Sequence, residues 1–189
     1  MYYDAIIAGF GGQGVLFIGN LLAYAAMEEG YNVTFMPSYG VEMRGGTANC
    51  NVIISSEEIG SPVIDAPCSA IFMNLLSVER FQDFISPGGL LLFNDSLIDP
   101  SVVSRADVVQ LPVPANELAS ELGNSQLASL VALGVYVEWT QILKKECLEE
   151  AMKRMIPPKM HERFLEANLS ALRRGYACAT SLRETQPKG

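Results

Sequence analysis

Histidine is nearly absent: His161 is the one imidazole among 189 residues. A zinc centre built on histidine ligands is therefore not expected. Cysteine is sparse and scattered. Cys50, Cys68, Cys147 and Cys178 leave no pair closer than 18 residues. There is no C-x-x-C, and no compact motif for an iron–sulfur cluster. Free thiols in a reducing compartment, the cytoplasm, are the expectation. Charge is also short, at 18% of residues against about 25% in ordinary domains. Positive charge is the scarcer sign: 13 Lys and Arg stand against 21 Asp and Glu, a net charge of -8. Basic residues come at most two together, as Lys144-Lys145 and Arg173-Arg174, which argues against a surface that tracks nucleic-acid phosphates. The start, Met1-Tyr2-Tyr3-Asp4, lacks the basic n-region of a signal peptide. Apolar runs of membrane-spanning length are missing too, so no membrane partner is expected.

What is plentiful is apolar character, at 49% of residues. With so little charge to cover it, this predicts either a large core or faces covered by partner chains. The length suits one domain. Ala5-Ile6-Ile7-Ala8 reads as a buried strand, and from Gly14 the apolar residues Val15, Ile18, Leu21, Leu22, Ala25 and Ala26 take helical spacing until Gly30. Further strands are expected at 31–35, 48–55, 69–73, 90–93 and 107–113, with a helix over 78–85. After Pro114 the pattern turns helical: 116–122, a nearly apolar stretch over 126–143, then amphipathic stretches over 145–155 and 159–179. The expected fold is a three-layer α/β/α domain with a largely parallel or mixed central sheet and a helical C-terminal third. The domain is expected to span 1–180, with 181–189 a frayed tail.

Gly9-Phe10-Gly11-Gly12-Gln13-Gly14 fits G-x-G-x-x-G. Glycines there permit a tight turn and close backbone approach. Gly9 is read as ending the strand, and Gly14 as letting the helix pack against it. The helix start would offer free N–H groups and a positive dipole end to an anion. A dinucleotide site also needs an acidic residue at the end of the second strand for the ribose. Phe35-Met36-Pro37 occupies the predicted end, and Glu28 and Glu29 fall before Gly30. Three readings stay open at this point: a nicotinamide or flavin site, a turn that needs glycine only to pack, and a different ligand or interface. Gln13 adds an amide that both donates and accepts at the mouth of the turn. Ser38 to Thr47, SYGVEMRGGT, is the densest polar stretch and is expected at the same sheet edge. Arg44 suits a carboxylate or phosphate, Glu42 suits a cation, and Gly45-Gly46 admits close backbone approach.

GFGGQGV, PSYGVEMRGGTANCNVIIS and IGSPVI, followed by LVALG at 130–134 and LEANLSALRRGY at 165–176, together resemble the gamma subunit of 2-oxoacid:ferredoxin (acceptor) oxidoreductases. The resemblance runs in order from residue 3 to about 178. The PSYG-x-E-M-R-G-G-T-A-N-C form is most similar to the 2-oxoglutarate branch. It implies a component of an enzyme that oxidatively decarboxylates a 2-oxoacid with coenzyme A, giving an acyl-CoA (succinyl-CoA in that branch) and CO₂, with electrons passing to ferredoxin. It also implies partners: alpha and beta subunits, with a delta subunit as a further candidate. Thiamine diphosphate, Mg²⁺ and [4Fe–4S] clusters would sit on those partners, since this chain has neither the cysteine spacing nor a GDG…N stretch. The chain would bind no cofactor alone and would be inactive alone; its apolar surface is compatible with pairing with a second copy when it is isolated. Coenzyme A would enter a shared cleft. Gly11, Gly12, Gln13 and Gly14 would line that cleft through backbone N–H groups. Ser38, Tyr39, Glu42, Arg44, Gly45 and Thr47 would form the adjoining loop, with Arg44 the anion contact. One departure is visible: Asn124 to Ser129 precedes LVALG where related chains carry an Asn-Met pair, so no polar contact is carried over from that helix start.

No catalytic residue or metal ligand is assigned. Cys50 reads as a core thiol on a strand, His161 as a surface or capping residue, and Tyr136 and Trp139 as core or interface. The alternative to the subunit reading is a free-standing nucleotide-binding oxidoreductase that uses the G-x-G-x-x-G turn.

Overall fold

Ala5-Ile6-Ile7-Ala8 has no polar face, so its strand needs cover on both sides. It lies within β1 (Tyr2–Phe10), in the interior of a six-stranded sheet of order β2-β3-β1-β4-β5-β6. The computed structural model describes residues 1–39 and 46–185, without the side chains of Tyr39, His161, Arg163 and Thr185. β4 (Ser69–Phe72), β5 (Leu90–Asn94) and β6 (Val109–Val113) run parallel to β1 in register. β3 (Thr47–Ser55) lies between β1 and β2 (Asn32–Tyr39) and is antiparallel to both. The sheet is therefore mixed.

Helices cover both faces. On one, α1 (Val15–Glu28) buries Val15, Ile18, Leu21 and Leu22 against the strands. Gly19 brings that helix close: a Cβ there would lie 2.3 Å from Cys50 Sγ and 3.2 Å from Phe35 Cε2. On the opposite face, α2 (Leu75–Phe81) closes over Ile6, Ala8, Ala70, Phe72 and Phe93. Asn74 caps α2, its Oδ1 accepting from Ser77 N at 2.9 Å. This is the expected three-layer α/β/α architecture.

The C-terminal third is helical, as its pattern predicts. α3 (Ala115–Glu121) leads to α4 (Ala128–Thr140), which is buried all round from Ala128 to Glu138. α5 (Lys145–Met155) and α6 (Glu166–Thr185) follow. α4 and α6 cross where Gly134 meets Gly175. A Cβ on either would lie 2.2–2.3 Å from a backbone oxygen of the other helix.

Several bounds differ from the sequence reading, each for a local reason. β2 runs through Pro37, because an edge strand can spare one N–H. α4 is shorter than 126–143: a 3₁₀ turn occupies Ser125–Leu127, and Gln141 turns left-handed at φ 54°. α6 starts at Glu166 rather than 159, after a π turn at His161–Leu165. It then continues past the boundary at 180. Arg183 Nη2 donates to Trp139 O at 2.6 Å and its guanidinium lies 5.7 Å from the Trp139 ring centre, which holds that last turn down.

Candidate functional site

β1 delivers the glycine turn to the carboxyl edge of the sheet. Gln13 N donates to Phe10 O at 3.1 Å and closes it. Gly12 and Gly14 take φ 98° and 77°, values that glycine adopts without a Cβ penalty. The Gln13 side chain points inward. Its Oε1 accepts from Phe10 N at 2.6 Å and from Asn74 Nδ2 at 3.3 Å, and its Nε2 donates to Met73 O at 3.2 Å. Gly9 makes room for that amide, since a Cβ there would lie 2.7 Å from Oε1. The G-x-G-x-x-G spacing thus accommodates a side-chain plug between the ends of β1 and β4. That is where the chain's crossovers diverge, α1 leading towards β2 and α2 towards β5, and where open α/β sheets commonly take a ligand.

Three expectations about this turn need correction. Of the N–H groups expected to line the cleft, Gly11 N and Gln13 N are taken up by Gly46 O and Phe10 O. Gly9 does not end the strand, which runs on to Phe10. Gly14 packs against α4 rather than the sheet: a Cβ there would lie 2.6 Å from Ser129 Oγ. The test for a ribose-binding acid also shifts, because Phe35-Met36-Pro37 lies inside β2, whose end is Tyr39. A firmer argument against a dinucleotide comes from strand order. The antiparallel β3 separates β2 from β1, so the end of β2 stands about 10 Å from β1 rather than about 5 Å. An acid there is a full strand too far from a diphosphate on the turn.

The second glycine loop returns to the first. Gly11 N donates to Gly46 O at 2.9 Å, Phe10 pairs with Thr47, and Tyr39 pairs with Ala48, which pairs in turn with Gly9. Ser38, Tyr39, Thr47 and the glycine turn therefore share one sheet edge. Glu42, Arg44 and Gly45 lie outside the described residues. A cation that the sequence did not advertise stands at the same edge. Arg80, exposed on the last turn of α2, donates through Nη1 to Thr47 Oγ1 at 3.4 Å. Among the described residues it has no carboxylate partner. No motif marks it, since only the β3–β1–β4 arrangement brings residue 80 to residue 47.

Two concavities meet at Gly12. One, about 380 Å³, lies over the start of α1 against Phe10, Gly11, Leu16 and Phe17. No side chain caps that helix, which leaves its first-turn N–H groups without a side-chain partner. The other, about 210 Å³, is lined by Gly12, Gln13, Met73, Asn116, Ser125 and Gln126. The helix start that departs from related chains therefore does supply polar groups, with Asn124 Oδ1 accepting from Gln126 N at 3.0 Å to fix the turn.

Other singled-out residues fall into structural places. Cys50 is fully buried, and burial pushes its thiol up to about 12. Cys68 also reaches about 12, through burial first, and its sulfur donates to Asp4 O. At pH 8 a thiol of pKa about 12 is ionised in about one molecule in ten thousand. Iodoacetamide should thus modify Cys147 and Cys178 before Cys50 or Cys68, read by peptide mass. Prompt labelling of Cys50 in the folded chain would contradict this. Tyr136 is core, its hydroxyl 2.8 Å from Ser69 Oγ, and Trp139 is half-buried. The His161 side chain lies outside the described residues. Among the described residues, no three His, Cys, Asp or Glu side chains converge to hold a metal ion, and no helix is long and apolar enough to cross a membrane.

The family model for pyruvate ferredoxin/flavodoxin oxidoreductase matches residues 4–178. The chain belongs to that family. A ketoisovalerate oxidoreductase subunit, VorA, of Methanothermobacter thermautotrophicus is 39% identical over 170 residues, covering 89% of this chain and 35% of that one. The chain thus spans about a third of the length of that relative. A 2-oxoglutarate synthase subunit, KorC, of Methanocaldococcus jannaschii is 31% identical over 178 residues and is covered end to end, at 93% of both chains. Among solved structures, the gamma subunit of a keto/oxoacid ferredoxin oxidoreductase from Geobacter sulfurreducens superposes with TM-score 0.80 at 26% identity, covering 95% and 99%. A 2-oxoglutarate:ferredoxin oxidoreductase from Magnetococcus marinus, described with 2-oxoglutarate, coenzyme A and succinyl-CoA bound, gives TM-score 0.84 at 25% identity, covering 98% of this chain and 32% of that one. The fold is that of the gamma-subunit structure, matched over 95% of this chain.

Proposed function

We propose that this chain is the gamma component of a cytoplasmic 2-oxoglutarate:ferredoxin oxidoreductase and forms one wall of its coenzyme A cleft. The observation that carries the substrate is coverage. The 2-oxoglutarate synthase subunit matches over 93% of both chains, whereas the ketoisovalerate subunit matches over 35% of its own length. The partners are alpha and beta subunits, with a delta subunit as a further candidate, and ferredoxin meets the assembled complex. Thiamine diphosphate, Mg²⁺ and [4Fe–4S] clusters reside on those partners and supply the carbanion and one-electron chemistry. This chain's part is to bind and orient. The uncapped start of α1 suits the negatively charged end of coenzyme A, Arg80 and Thr47 stand at the same edge, and Arg44 is the loop's anion contact.

The test is purification of the assembled complex without oxygen, followed by viologen reduction with coenzyme A and each of 2-oxoglutarate, 2-oxoisovalerate and pyruvate. The expected result is a kcat/KM for 2-oxoglutarate at least about tenfold above the others, a preference of about 1.4 kcal/mol, with succinyl-CoA as product. A preference for 2-oxoisovalerate would overturn the branch, and viologen reduction by the isolated chain would overturn the division of labour.

A further inference from the structure

The two faces of the sheet are covered unequally. Residues of α1, α3, α4, α5 and α6 build the core on one face. The helix on the other is α2, of seven residues. Register puts the outward side chains of β3 and β2 on that thinner side. Asn49 and Asn51 pair with Ala8 and Ile6, which α2 covers, and with Ser38 and Met36 of β2. Beside them lies a groove of about 280 Å³, whose lining includes Asn49, Asn51, Ile64, Asp65, Phe81 and Phe84. The Asn49 and Asn51 side chains make no hydrogen bond among the described residues. Asp65 pairs with no cation among them. Large apolar groups stand open here too: Phe84 is 56% exposed, Met36 37%, and Val63, next to Ile64, 60%. Open apolar side chains around amides without partners mark a surface that another chain covers.

Charge says what kind of chain. Residues 47–84 supply β3, α2 and everything between, and hold five acidic residues and one basic one. The basic one, Arg80, is engaged at the glycine edge, where it donates to Thr47 Oγ1. A groove that joins a carboxylate to two phenyl rings suits a cationic side chain, which gains an ion pair from one and ring faces from the other. We infer that this groove docks a partner subunit, which seats a basic side chain against Asp65, Phe81 and Phe84 while its polar groups meet the amides of Asn49 and Asn51. The inference rests on the subunit reading above and adds the face and the anchor. The occupant is a partner chain rather than a second copy, because two copies of net charge -8 would set acidic faces against each other.

The test uses the complex, purified without oxygen through a tag on another subunit, with this chain unaltered or carrying Asp65→Lys or Phe84→Ala. Both side chains are exposed, so neither change disturbs the core. Native mass spectrometry over a dilution series measures the fraction of complexes that have lost this chain, and so its Kd. Each variant is expected to raise that Kd at least about tenfold. Asp65→Asn should flatten the dependence of Kd on salt, since it removes one attracting charge. Amide exchange over residues 61–67 should slow when the unaltered chain joins the complex. An unchanged Kd in either D65K or F84A overturns the assignment. So does a dimer of the isolated chain that F84A abolishes while the complex keeps its Kd, which would make the occupant a second copy. If the chain purifies from its source with no other subunit, the subunit reading itself fails and the docking site falls with it. That outcome is seen before any variant is made.

Discussion

Gly134→Ala is expected to destabilise the fold by about 2–3 kcal/mol and lower the melting temperature by roughly 5–10 °C. The sign is the informative part. In an ordinary helix interior, glycine to alanine gains about 1 kcal/mol from propensity. Here the added Cβ would lie 2.3 Å from Leu172 O, a backbone atom that no rotamer change can move. The facing Gly175 has the same restriction, its Cβ position lying 2.2 Å from Val131 O. α4 and α6 therefore must separate, and α4 is buried all round, so the separation reaches both of its sides. The cleft lip formed by Ser125 and Gln126 leads directly into α4, so the variant is also expected to bind coenzyme A more weakly in the complex. Thermal unfolding followed by circular dichroism decides the sign. A neutral or stabilising G134A would mean that the helices meet less closely than described. The double variant with Gly175→Ala should cost less than the sum of the singles, because one separation relieves both clashes.

The sequence showed its fold through period and punctuation. Ala5 to Ala8, Leu90 to Phe93 and the helical spacing from Val15 to Ala26 need no partner information to be read, because each pattern reports its own burial. Boundaries were less legible. Pro37 looked like a stop but is tolerated at the sheet edge, and the end of α4 depends on one left-handed residue, Gln141. Strand order was the larger omission. Nothing local in TANCNVIIS says that it inserts between β1 and β2, yet that insertion is what separates this turn from a dinucleotide site. The glycine turn and the return of the second loop to the same edge were legible from motif and order. Arg80, Asn94 and Asn116 were not. Each lies in a segment read only as helix or strand end, and each becomes relevant only when β3, β5 or β6 brings it to the sheet edge that carries the glycine turn. The donor and acceptor character of Gln13 is legible in the sequence, and its direction is not. Its amide does donate and accept, but towards the protein's own backbone.

Gln13→Leu should therefore act first on stability, by about 3 kcal/mol. Leucine is close in size, so the loss is polar: Phe10 N–H and Met73 O lose their partners in a half-buried site, and each such loss costs about 1–3 kcal/mol. The Asn74 side chain loses an acceptor but keeps its cap on Ser77 N, which is why the total stays near the lower end of the sum. Native-state hydrogen exchange gives the sharpest reading. The Phe10 amide, bound at 2.6 Å in the parent chain, should exchange on the order of a hundredfold faster, as about 3 kcal/mol requires. Gln13→Glu separates the two halves of the plug. It keeps an acceptor for Phe10 N–H but sets a carboxylate against Met73 O, where only a donor fits. Its protonated form restores that donor, so the folded-state pKa of the new carboxyl is raised above its unfolded value near 4.3. Below that value the carboxyl is protonated in both states and the variant is most stable; stability is then lost as pH rises towards the folded pKa. A Q13E chain that melts at the same temperature at pH 5 and pH 8, together with a Q13L chain whose Phe10 amide exchanges no faster than in the parent, would show that the amide plug does not hold the ends of β1 and β4 together.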